Sequence, residues 1–145
     1  MRANTRRAGS TDVELVGELY QAFAVRDLER IRAAIAPDFV MEQTDLLPWG
    51  GRRHGPEGFF EFLRIALGHV DPVVEIDELF DAGGGRVVQI GHATGTVRAH
   101  GNRFRIRLIH VWQVRDGMLV SHRAYLDAPA MLAALRGGRD RRGRR

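Results

Sequence analysis

One histidine stands out in this chain by its company. Between Arg103 and Asp127 the sequence runs RFRIRLIHVWQVRDGMLVSHRAYLD. In its first half the even positions Phe104, Ile106, Leu108, Trp112 and Val114 are apolar, and His110 alone interrupts them. An imidazole on an apolar face is costly unless it is hydrogen-bonded. It can also act as a general acid or base, or donate to a developing enolate. Asp116-Gly117 is a strong two-residue hairpin signal, because both turn positions need positive φ. Counting outward from that turn, Arg115 faces Met118 and Val114 faces Leu119. Trp112 then faces Ser121, His110 faces Arg123, Leu108 faces Tyr125, and Ile106 faces Asp127. Directly opposed residues share a face. The expected inner face therefore carries His110, Trp112, Ser121, Arg123, Tyr125 and Asp127 among aliphatic side chains, a pattern suited to a small-molecule pocket. A different register would send the partners to the other face.

Each of these residues has a plainer reading. His110 can be a core histidine satisfied by its neighbours. Asp127, followed by Ala-Pro-Ala, fits a helix N-cap as well as a buried base of raised pKa. Arg123 can neutralise Asp127, bind a substrate carboxylate, or be a surface charge if the register differs. Tyr125 and Trp112 can be core aromatics. Glu42 and the histidines at positions 92 and 122 are expected to face away from the pocket, with His69 and His100 solvated near turns.

The elements that would hold this face are legible in order. Val13, Val16, Leu19, Tyr20 and Phe23 recur at helical spacing, with Thr11-Asp12 as the cap. Asp27 caps a second helix, with Leu28, Ile31 and Ile35 inward and Pro37 at its end. The alternating run Phe39 to Thr44, containing Met41 and Gln43, reads as a strand. Asp45 to Gly55 reads as a loop holding Trp49, Arg52, Arg53 and His54, and such loops often form the mouth of a site. Pro56 opens a helix to Leu67 whose buried side is Phe59, Phe60, Leu63 and Leu67. Val73–Phe80 and Arg86–Ala99 read as strands, the second with Gly91 and Gly95 marking a bend or bulge. The hairpin and a short helix from Ala128 to Leu135 complete the set. Helices followed by antiparallel strands predict an α+β fold, three helices on a strongly curved, mostly antiparallel sheet.

Composition narrows the rest. With 145 residues, 44% of them hydrophobic, one globular domain is expected, spanning residues 12–136 between basic tails at 1–11 and 137–145 that read as disordered. All 22 basic residues are arginine; eight lie in those tails and Arg136 adjoins the second, which leaves 13 arginines against 17 acidic residues between Asp12 and Leu135. The body is therefore mildly acidic, and nucleic-acid association is not expected. No apolar run is long enough to span a membrane, and no signal-type segment follows the N-terminus, so a cytoplasmic protein is expected. The chain has no cysteine, which removes thiolate chemistry and disulfides. No metal-ligand spacing and no phosphate-cradling glycine loop occurs, so neither metal nor other cofactor is expected.

The chain resembles the nuclear transport factor 2-like superfamily, and within it the SnoaL-like polyketide cyclases and ketosteroid-isomerase-like proteins. The resemblance runs from about Val13 to Leu135. It is carried by Arg26-Asp27-Leu28-Glu29-Arg30-Ile31, Ala36-Pro37-Asp38-Phe39-Val40, Trp49-Gly50-Gly51 with His54-Gly55, His110-Val111-Trp112 with Arg115-Asp116-Gly117, and Tyr125-Leu126-Asp127. It implies a cone-shaped α+β barrel, a homodimer through the outer sheet face, and a cofactor-free small-molecule site. The ketosteroid isomerase base matches Gln43, with Glu42 beside it. That family's tyrosine donor matches Leu19, with Tyr20 beside it, and its protonated acid falls near His110. Two of three positions depart, which speaks against steroid isomerisation. The Asp and His of SnoaL-like cyclases have their nearest counterparts in Asp127 and His110. Arg123 and Asp127 could supply two members of the Asp-Arg-Asp set of limonene-type epoxide hydrolases. The expected reaction is proton abstraction beside a carbonyl, leading to isomerisation or aldol-type ring closure. Asp127 would be the base and His110 the donor or proton shuttle, with Arg123 and Tyr125 orienting. Trp112, Trp49, His54, Gln43, Met41, Tyr20, Phe59, Leu63 and Leu108 would contact the substrate. Epoxide hydrolysis, dehydration, or non-catalytic binding or dimerisation are the alternatives, since one fold hosts them all.

Overall fold

The computed structural model describes residues 8–137. Its elements run α1 (Ala8–Ala24), α2 (Leu28–Ala34), β1 (Ile35–Gln43), β2 (Gly51–His54), α3 (Gly55–His69), β3 (Val70–Gly83), β4 (Arg86–Val97), β5 (Arg103–Arg115), β6 (Met118–Leu126) and α4 (Ala128–Arg136). The strands form a single curved sheet in the order β2-β1-β6-β5-β4-β3. Every neighbouring pair is antiparallel except β1 and β6, which are parallel. The sheet does not close into a barrel, so the architecture is α+β with helices packed on an open, curved, mixed sheet. No helix is long and apolar enough to cross a membrane.

The helices form where the apolar spacing demands them. On α3, Phe59, Leu63 and Ala66 recur every three or four residues, and all three are buried. On α1, Val16, Leu19 and Tyr20 are buried in the same way. Each fully buried Leu or Phe contributes roughly 1.5–3 kcal/mol relative to exposure, so these stripes hold the helices to the sheet. The Asp27 carboxylate caps α2 by accepting from the Arg30 backbone N–H at 3.3 Å. On β5 the expected alternation is present: Phe104, Ile106 and Leu108 are buried, and Arg103, Arg105 and Arg107 are exposed.

The glycine signal in β4 also has a physical cause. A Cβ at Gly91 would lie 1.9 Å from the Glu75 carbonyl oxygen, so only glycine lets β3 approach there. The β3–β4 register shifts beside it, between Ile76 and Glu78.

Several boundaries differ from the sequence reading. Helix α1 starts at Ala8 rather than Asp12. The rest of the expected tails, residues 1–7 and 138–145, lies outside the described residues. Strand β1 starts at Ile35 and runs through Pro37, which is tolerated because the β1–β6 register slips between Ile35 and Val40. The stretch expected as a loop from Asp45 to Gly55 contains β2, which pairs with β1 from Val40↔His54 to Gln43↔Gly51. Gly-Arg-Arg-His has no apolar alternation to announce a strand; backbone pairing and an Arg52–Glu42 ion pair hold it instead.

The consequential difference is one residue in β6. The turn pairs Arg115 with Met118 and Val114 with Leu119, as expected, but Gln113 then pairs with Ser121. Val120 is an extra residue, a β-bulge, and every position beyond it changes face. Trp112 faces His122, His110 faces Ala124, and Leu108 faces Leu126. Arg123 and Tyr125 instead pair with Val111 and Ile109 on the outer face.

Candidate functional site

A cavity with about 900 Å³ of empty space, its open mouth included, lies between α1, α3 and the inner face of the sheet. Its wall is almost wholly aliphatic and aromatic. The hydrogen-bonding side chains are Tyr20, Gln43, His110, His122 and the two tryptophans, and no Asp, Glu or Arg lines it among the described residues. This is an uncharged apolar pocket with a few convergent polar groups, the usual form of a small-molecule site.

Those polar groups meet in one place. The Trp112 indole N–H donates to the Tyr20 hydroxyl oxygen at 2.8 Å, and the same hydroxyl lies 2.6 Å from His110 Nδ1. The Tyr20 and His110 rings stack with centroids 5.8 Å apart. The bulge brings His122 against both partners, with centroids 4.6 Å from His110 and 4.2 Å from Trp112. Gln89 is completely buried beside them. Its side-chain nitrogen reaches the Leu108 carbonyl at 3.5 Å, and its Oε1 has no hydrogen-bond partner. Elsewhere in the wall the Trp49 indole N–H donates to Gln43 Oε1 at 3.2 Å, fixing both side chains.

Burial sets the protonation states. It pushes the His110 imidazole down to about 3. It also lowers His122 well below the ordinary histidine range, with His110 as a second, like-charged cause. The Tyr20 phenol is raised by burial, against the neighbouring Trp112 and Gln89 side chains, which act the other way. At neutral pH the cluster is therefore two neutral imidazoles and a protonated phenol. Such a set can donate and accept protons while carrying no charge at rest.

Of the residues singled out from sequence, the fold brings Tyr20, Gln43, Trp49, Phe59, Leu63, Leu108, His110 and Trp112 to the cavity wall. Asp127 is elsewhere. Its carboxylate caps α4, accepting from the Ala130 N–H at 3.1 Å, and it is exposed. Arg123 is exposed on the outer face, 3.3 Å from Glu42, and Tyr125 is 52% exposed beside it. His54 sits exposed at the N-cap position of α3 and makes no side-chain cap bond. Met41 is fully buried in the core but does not reach the cavity. His92 faces outward, 3.6 Å from Asp77, while His69 and His100 are exposed. The one polar cavity residue expected to point away is His122. Its signal was Arg123: the expected register would have buried an arginine among aliphatics, where a one-residue shift buries an imidazole instead. Among the described residues, no group of three or more His, Cys, Asp or Glu is arranged to hold a metal ion.

A curved sheet with helices across one face and one uncharged cavity beneath them defines the nuclear transport factor 2-like class. Within that class the chain belongs to the SnoaL-like domain family, whose model matches residues 16–122. A Burkholderia pseudomallei structure described as an NTF2-like protein of unknown function is 29% identical. The match covers 86% of this chain and 97% of that one, with a TM-score of 0.80. TerC, co-crystallised with polyporic acid, is similar at 23% identity over 88% of this chain and 99% of its own, TM-score 0.79. A provisionally named SnoaL-like polyketide cyclase from Jannaschia is 17% identical over 94% and 97%, TM-score 0.80. At those two identities the likeness is one of fold. No curated protein matches the chain.

Proposed function

We propose that this protein is a cofactor-independent acid/base enzyme, an isomerase or aldol-type cyclase, acting on a small, mostly apolar carbonyl compound such as a polyketide intermediate. One observation carries the reading: the Tyr20–His110–His122 cluster is the polar centre of an otherwise apolar cavity. In the proposed step, a C–H bond beside a carbonyl breaks and its proton passes to an imidazole. The electron pair moves onto the carbonyl oxygen, where an N–H donor stabilises the enolate. The proton then returns to carbon or oxygen, so nothing is consumed. The apolar wall orients the substrate by shape.

This reading moves the chemistry off Asp127, Arg123 and Tyr125, which face away from the cavity. It also disfavours epoxide hydrolysis by an Asp-Arg-Asp set, because no carboxylate or guanidinium lines the cavity among the described residues. The test is deuterium incorporation beside the carbonyl in a panel of apolar ketones and diketones in D2O. Wild type should catalyse exchange, and His110→Gln and His122→Gln should each lower it at least about a hundredfold. Exchange unchanged in both variants would refute the proposal. The homodimer through the outer sheet face belongs to the same proposal; Val73, Phe80 and Tyr125 are its exposed apolar groups, and sedimentation equilibrium tests it.

A further inference from the structure

The hydrogen-bond chain in the cavity has a direction. An indole nitrogen is a donor only, so the 2.8 Å contact is Trp112 N–H to the Tyr20 oxygen. The Tyr20 O–H then needs an acceptor of its own. His110 Nδ1, at 2.6 Å, is within reach. The other buried acceptor beside it, Gln89 Oε1, has no hydrogen-bond partner. With the phenol proton directed to Nδ1, the neutral imidazole accepts there and carries its hydrogen on Nε2. That second nitrogen is not among the buried atoms without a partner, and His110 lines the cavity. Nε2 is thus the His110 nitrogen left for a ligand in the cavity.

His122 is placed differently. Its Nδ1 is buried and has no hydrogen-bond partner, so no neighbour fixes its tautomer. It lines the same cavity, where no carboxylate competes with it as a proton acceptor among the described residues.

We infer that His110 is the hydrogen-bond donor of the site, that His122 is its proton acceptor, and that the ligand is an uncharged molecule presenting a carbonyl oxygen to His110. The inference rests on the acid/base reading of the same cavity and assigns its two roles. The exclusion of charge follows from the lining: an anionic ligand finds no Arg and a cationic ligand no carboxylate among the described lining residues, and an unpaired charge is expensive to bury.

The experiment uses the full chain labelled with 15N at histidine, read by long-range 1H–15N correlation, which separates the two neutral tautomers and the cation. His110 should be the Nε2–H tautomer at neutral pH, and Tyr20→Phe should release it into a mixture. Acetylnaphthalene and naphthoate, which share one ring system, are the probes. The ketone should shift the His110 Nε2 resonance and bind at least about tenfold more tightly than the carboxylate. Exchange of the ketone's methyl protons in D2O should vanish in His122→Gln and persist, slowed, in His110→Gln. His110 found as the Nδ1–H tautomer or as a cation, tighter binding of naphthoate, or exchange that survives His122→Gln overturns the inference. No exchange at all, with tautomer and ligand preference as expected, counts against the acid/base reading and leaves the donor assignment standing.

Discussion

Mild acid should destabilise this protein through its cavity histidines. An unfolded histidine titrates near 6.5, whereas burial holds His110 at about 3 in the folded chain. The unfolded state therefore binds more protons between those values. The contribution is complete above pH 6.5, falls as the pH drops through 6.5 toward 3, and is lost below that. At pH 5 the loss from His110 is about 2 kcal/mol, and near pH 3 it reaches about 4 kcal/mol. His122, lowered by the same burial, adds in the same direction. Water in the cavity would reduce both figures, because the half-buried His110 faces that space. Against a total stability of about 5–15 kcal/mol, even the first figure is large. The assay is urea unfolding followed by tryptophan fluorescence at a series of pH values from 7.5 down to 5, where most carboxylates stay ionised. Wild type should lose at least about 2 kcal/mol over that range, and His110→Gln should lose about 2 kcal/mol less than wild type. Equal pH slopes in the two proteins, or a His110 resonance titrating near 6.5, would refute the reasoning.

Three further outcomes follow from the geometry. Tyr20→Phe strips the partner from both the Trp112 N–H and His110 Nδ1, so it should cost about 2–4 kcal/mol in urea unfolding. Asp127→Ala removes a helix cap and should cost about 1 kcal/mol while ketone affinity stays unchanged; a lost affinity would restore Asp127 to the site. Deleting Val120 removes the bulge and drives Arg123 and Tyr125 toward the inner face, so the variant should fail to give a cooperative thermal transition, whereas Val120→Ala should keep one.

Local physics explains what the sequence showed well. Apolar spacing placed α1, α2 and α3, Asp27 and Pro56 marked helix starts, and Asp116-Gly117 marked the turn, because each depends on residues a few positions apart. The inward face of β5 was equally plain: residues 104, 106, 108, 110, 112 and 114 alternate against arginines, and that put His110 and Trp112 in the site. Strand β2 and the start of β1 were not legible, since a short edge strand and a proline-containing strand are held by their neighbours' backbones.

The sequence by itself determined that this is an α+β domain of the SnoaL-like kind with an imidazole on an apolar strand face. Tertiary structure decided which groups join that imidazole. Valine at a bulge leaves no local mark, because the bulge is a choice of pairing between two strands. One unpaired residue at Val120 brought His122 in, turned Arg123 and Tyr125 out, and left Asp127 capping α4. Tyr20 met His110 only because α1 packs across the sheet, a contact between residues 90 positions apart. Parity along a strand is a local property of the chain; the register that converts it into a site is a property of the packed sheet.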